Sequence, residues 1–219
     1  NPSNKIISII IPSAYLILNG ININDLGNYE YIGTLNLGKF QLPFLILATG
    51  LLINATNYID GVDGLLLTFF ICCLGYYIYL IEEPNVIYLI KLLLVPVIFN
   101  LILNLLSTKT KFKFFSGNTG SLFIGFFVSF LTVELYNSFE VHPVYLIWPL
   151  WYPVYDFLFV STNRAILKKS IFSADNSHLH HKILIKFKKN HLKTVLLFFI
   201  LNISIILSTV VSSFTIQSS

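Results

Sequence analysis

The chain has 219 residues, of which 55% are hydrophobic and only 11% charged, with a formal net charge of +4 and a mean hydropathy of +0.76. An ordinary soluble domain carries roughly a quarter of its residues as charges, so this composition excludes a soluble globular protein and indicates an integral membrane one. Cys72 and Cys73 are neighbours in an apolar stretch. A structural disulfide between adjacent residues is disfavoured, and both read as packing residues.

Seven apolar segments follow one another, at roughly residues 5–19, 41–58, 64–81, 86–106, 120–136, 143–160 and 194–213. Each is near the ~17–25 residues that a spanning helix needs, the first being short. Runs such as 65–81 and 192–211 do not alternate, which argues against the ~10-residue strands of a barrel. The expected fold class is therefore all-α, a polytopic transmembrane helix bundle of about seven spans in a single domain over residues 1–219. Residues 21–40 are expected to form a small hairpin-like loop outside.

Basic residues fix the orientation, because short loops rich in Lys and Arg stay in the cytoplasm. Eleven of the 14 lie in two loops: Lys109, Lys111 and Lys113 in one, and Arg164, Lys168, Lys169, Lys182, Lys186, Lys188, Lys189 and Lys193 in the other. Alternation then places the N-terminus inside and Ser219 outside. The polar chemistry gathers on the cytoplasmic face of a plasma membrane.

The first polar cluster is Asn54-Ala-Thr-Asn57-Tyr-Ile-Asp60-Gly61-Val-Asp63-Gly64-Leu65. Ionisable groups beside lipid must face water, a partner or a cation. A helix continued to Gly61 would align Asn54, Asn57 and Gly61 on one face. Asp60 and Asp63 could hold Mg²⁺ or orient sugar hydroxyls; alternatively, Asp63 caps the third helix. The second cluster, Phe115-Ser-Gly117-Asn118-Thr-Gly120-Ser121, precedes the fifth helix, where free backbone N–H groups suit a phosphate, although any interhelical turn favours such residues.

The third is Ser173-Ala-Asp175-Asn176-Ser-His178-Leu-His180-His181. Three imidazoles suggest zinc, but the surrounding lysines and Arg164 attract phosphate and repel cations. The histidines therefore read as diphosphate contacts or acid/base groups, against the alternative of a basic loop resting on anionic headgroups. Asp156 sits near the cytoplasmic end of the sixth segment, with the least determined role of these carboxylates.

Taken in order, the three clusters resemble the NAxNxxDGxDGL, FxGDxGS and SxDRxHxHH motifs of the polyprenyl-phosphate N-acetylhexosamine-1-phosphate transferases, membrane enzymes of glycosyltransferase family 4. Phe99-Asn100 resembles the FN pair upstream of the second motif. The resemblance implies transfer of a phospho-sugar from a UDP-N-acetylhexosamine to undecaprenyl (polyprenyl) phosphate, with Mg²⁺ as cofactor and UMP released, in bacterial cell-envelope glycan synthesis. Asp60, Asp63, His178, His180 and His181 are then the expected catalytic residues. Asn54, Asn57, Asn100, Gly117, Gly120, Ser121 and Asp175 are expected to bind substrate, and Asn118 to stand at the metal. Nucleic acid is not an expected partner, and a homodimer is left open.

Three departures accompany the resemblance. The family's aspartate-rich DDxxD or DDxxK motif has no counterpart here, Asn118 replaces an aspartate, and Asn176 replaces an arginine. With no Met and a start at Asn1, the chain is expected to be the C-terminal part of a longer protein. An inactive relative of the family, and more remotely a secondary transporter, are the rival expectations.

Overall fold

The computed structural model describes residues 10–11, 13–106, 117–139, 141–168 and 177–217. A short helix α1 (residues 13–18) leads into an antiparallel hairpin of β1 (Asp25–Tyr29) and β2 (Gly33–Asn36). Its register pairs Asp25 with Asn36 and Tyr29 with Gly33, with a bulge between Asp25 and Asn28. This hairpin occupies the loop expected near residues 21–40. His142 ties it to the bundle: its Nε2 lies 3.2 Å from the Asn28 carbonyl while its Nδ1 accepts from Val144 N–H.

The remaining elements are helical: α2 (Gln41–Ile59), α3 (Leu65–Leu80), α4 (Pro84–Leu106), α5 (Gly117–Ser138), α6 (Pro143–Ile147), α7 (Trp151–Ile166), α8 (Leu179–Lys186) and α9 (His191–Gln217). α2 packs chiefly on α5 and α7, and α3 on α4 and α9. The core runs along α3, from Leu65 through Phe69, Phe70 and Leu74 to Tyr77, all nearly inaccessible. A helix apolar on every side suits the centre of such a bundle.

Among the described residues, four helices are long and apolar enough to cross a membrane, over Gly38–Ile59, Pro84–Leu105, Thr119–Ser138 and His191–Val211. α3 and α7, with 16 residues each, reach about 24 Å at 1.5 Å per residue, short of the ~30 Å hydrocarbon core. Enclosed by longer neighbours, α3 need not match that thickness. α4 instead turns Tyr88, Leu92, Val95 and Phe99 outward, as a lipid-facing helix should.

The segment expected as one span over 143–160 is broken. α6 gives way to a 3-10 turn at Trp148–Leu150 before α7 begins. Pro149 lies in that turn and Pro153 in the first turn of α7, and each lacks the N–H that a continuous helix would need there. α7 also runs beyond residue 160 to Ile166, so Arg164 is a buried helical residue and not part of the following loop.

A candidate active site at one end of the bundle

α2 ends at Ile59 and Asp60 is its C-cap, so Gly61 and Asp63 lie in a turn and do not extend the helix face. Nor does Asp63 cap α3. The N-cap is Gly64, with φ +81° and no side-chain cap bond, a left-handed conformation in which an L side chain would be strained. Freed from capping, Asp63 is held otherwise: its backbone N–H donates to His191 Nδ1 at 3.1 Å, and its Oδ2 lies 3.7 Å from the same nitrogen. The Asp60 carboxyl is pushed up to about 6, first by burial and then by the neighbouring Asp63 charge.

The second motif docks against α2. α5 begins at Gly117, three residues earlier than expected, so Asn118, Gly120 and Ser121 belong to its first turns. Asn57 Nδ2 donates to Ser121 Oγ at 2.8 Å, and Thr56 Oγ1 donates to the Ser121 carbonyl at 3.1 Å. Ser121 Oγ in turn donates to the Gly117 carbonyl. Asn54 is buried and its Nδ2 bonds to Gly50 O within its own helix. On α4, Asn100 Oδ1 accepts from Asn104 Nδ2 at 3.4 Å.

The histidine motif closes over the same turn. A Cβ built on Gly61 would lie 2.8 Å from His181 Cε1 and Nε2 and 3.7 Å from His180 Nε2, so the imidazoles rest on bare backbone. His178 and His180 are buried, and Tyr58 stacks on His178 with centroids 5.0 Å apart. Behind them lies buried Asp156, whose Oδ2 is 2.8 Å from His178 Nδ1 and whose Oδ1 accepts from Leu179 N–H. His180 Nδ1 shares a 2.8 Å bond with the Tyr152 hydroxyl. Burial, above all, holds the His180 imidazole below its ordinary pKa. Asp175, Asn176 and Lys109 to Lys113 lie outside the described residues.

Three stretches far apart in the chain thus meet at the end of the bundle opposite the hairpin. Residues 2–136 match the family described as glycosyl transferase family 4. The chain belongs to that family. It is 26% identical over 182 residues to an undecaprenyl-phosphate alpha-N-acetylglucosaminyl 1-phosphate transferase of Yersinia pestis, covering 80% of this chain and 49% of that protein. A probable undecaprenyl-phosphate N-acetylglucosaminyl 1-phosphate transferase of Bacillus subtilis is 30% identical over 177 residues, with the same coverage. A third relative, the Escherichia coli K12 transferase, is 27% identical over 72% of this chain and 43% of its own length. The chain spans about half the length of the curated relatives it matches.

In this family-4 chain, His191, Tyr58 and Asp156 belong to the site without standing out in the sequence. His191 lies ten residues beyond the histidine triplet in a lysine-rich stretch, where nothing local distinguishes it from a solvated residue. Tyr58 could have been singled out, because it sits inside the first motif. Asp156 is one turn from Tyr152, the i, i+4 spacing that puts both on one helix face.

Proposed function

We propose that this chain is one domain of a transferase that moves N-acetylhexosamine-1-phosphate from a UDP-sugar to a polyprenyl phosphate at the cytoplasmic face of a bacterial plasma membrane. The observation that carries the reading is the contact of the Asp60 to Gly64 turn with His181 and His191, within a chain of family 4. It joins carboxylates and imidazoles at a bundle end, where a soluble nucleotide sugar and a membrane phosphate can meet. An oxygen of the lipid phosphate attacks the sugar-bearing phosphorus; that P–O bond forms as the bond to UMP breaks, and UMP carries away the released electron pair.

In this reading Asp60 and Asp63 line the nucleotide-sugar pocket, while the α5 N-terminus with Asn118 stands at the metal. The donor set fits Mg²⁺, which takes hard oxygen ligands and needs only one or two carboxylates; Asp60 and Asp63 are a close pair whose mutual repulsion a dication would relieve. When bound, Mg²⁺ would neutralise charge on the transferring phosphates. His178, His180 and His181 face the diphosphate, and Asn57 with Ser121 keeps α5 in register with the carboxylate turn. Seven spans, with the N-terminus inside and the C-terminus outside, complete the proposal; the two 16-residue helices count as spans within the bundle.

The test is an assay in membranes containing the full-length protein, with labelled UDP-N-acetylglucosamine and undecaprenyl phosphate. Mg²⁺-dependent release of UMP with formation of a lipid-linked diphosphate sugar is expected. Turnover that is independent of the lipid phosphate would reject the reading.

A further inference from the structure

Asp156 is 3% exposed, yet it is a carboxylate. Burying such a group is unfavourable unless hydrogen bonds compensate it, and here both oxygens are engaged: Oδ1 by Leu179 N–H and Oδ2 by His178 Nδ1, each at 2.8 Å. An ionised carboxylate only accepts. The proton of neutral His178 is therefore on Nδ1, and its Nε2 carries a lone pair. That Nε2 is buried and has no hydrogen-bond partner among the described residues. Leaving a buried polar atom unsatisfied is unfavourable, so this nitrogen is held ready for a partner that the described residues do not supply.

The ring has little freedom to find one elsewhere. Tyr58 and His180 both stack on it, with centroids 5.0 and 5.4 Å away, and Asp156 grips its Nδ1 edge. We propose that Asp156 is the positioning residue of the histidine motif: it fixes His178 in the Nδ1–H tautomer and so presents Nε2 as a proton acceptor. A phosphate P–OH would give its proton to Nε2, the imidazolium charge being compensated by Asp156, and the new Nε2–H would then donate to that phosphate oxygen. This rests on the reading of the histidine motif as part of the transfer site, but its test needs no substrate.

The chain, labelled with ¹⁵N-histidine and held in lipid nanodiscs, carries five histidines, and a His178→Gln sample assigns the resonance. At a pH high enough for a neutral ring, the wild type should show His178 protonated on Nδ1 and bare on Nε2. Asp156→Asn keeps the size but has one oxygen, which Leu179 N–H requires; its amide NH₂ then faces Nδ1, and the His178 proton should move to Nε2. A wild-type His178 protonated on Nε2 would overturn the proposal, as would a folded Asp156→Asn that keeps the proton on Nδ1. Should Asp156→Asn fail to fold, the wild-type spectrum alone decides. Since no substrate is present, the result is independent of whether the protein transfers phospho-sugar.

Discussion

His191, the first residue of α9, accepts a hydrogen bond from the backbone N–H of Asp63 at 3.1 Å, across 128 residues of chain. This bond clamps the carboxylate turn to the last membrane helix. A net hydrogen bond is worth about 0.5–1.5 kcal/mol, and His191 is partly exposed, so its loss should be felt locally and not globally. His191→Ala should therefore raise hydrogen exchange at the Asp63 amide by roughly 2- to 13-fold with little change in thermal midpoint. Unchanged exchange at that amide would mean that the clamp is not formed in solution.

Gly61 gives the second prediction. Added as a methyl, its Cβ would stand 2.8 Å from two atoms of the His181 ring, which can swing away because it is the end of a side chain. Gly61→Ala should thus cost about 1–3 kcal/mol of stability and displace His181 from the turn. A displacement on the order of 1 Å near reacting groups can lower turnover about 100-fold. Melting curves together with UMP release would check this, and full turnover in the variant would show that His181 need not touch the turn.

Much of this arrangement was legible in the sequence, and the parts that were not share one physical cause. Apolar length gave α2, α3, α4, α5 and α9, because hydrophobic runs are set by the local chain. The break between α6 and α7 required weighing Pro149 and Pro153 against an unbroken hydropathy signal. The three motifs were visible as polar density. Their backing was not: Asp156, Tyr58 and His191 acquire meaning only through partners 22 to 128 residues away, and sequence patterns carry no such distances. Asp63 as a cap failed for a local reason, since Gly64 takes the left-handed position that starts α3.

Asp60 makes stability depend on pH. Its pKa is raised to about 6 from an ordinary carboxylate value of 3.8, so the folded state prefers the protonated form. Its contribution is fully present below the unfolded value and is lost as pH rises through about 6. His180 works the other way: burial favours its neutral form, giving a contribution that is lost on acidification. The difference between wild type and Asp60→Asn isolates the first group. The variant should gain thermal stability relative to wild type as pH rises from 5 to 7, read as a widening gap in midpoint. A gap independent of pH would mean that Asp60 titrates normally.

Asn118 lies in the first turn of α5, where backbone N–H groups and the helix dipole favour negative charge. The proposed metal stands beside this turn. A hard dication gains much of its binding from carboxylate charge, and Asn and Asp differ in charge while nearly sharing a shape. In the full-length protein, Asn118→Asp should therefore lower the Mg²⁺ concentration for half-maximal phospho-sugar transfer by about tenfold. The same substitution suits the helix N-terminus, so the fold should tolerate it. Asp60→Asn or Asp63→Asn should instead reduce turnover by roughly 100-fold or more, as removal of a group that orders charge in a site does. Mg²⁺ titrations of all four proteins separate the roles: an unchanged midpoint in Asn118→Asp would move the metal away from α5 and leave it to the carboxylate turn.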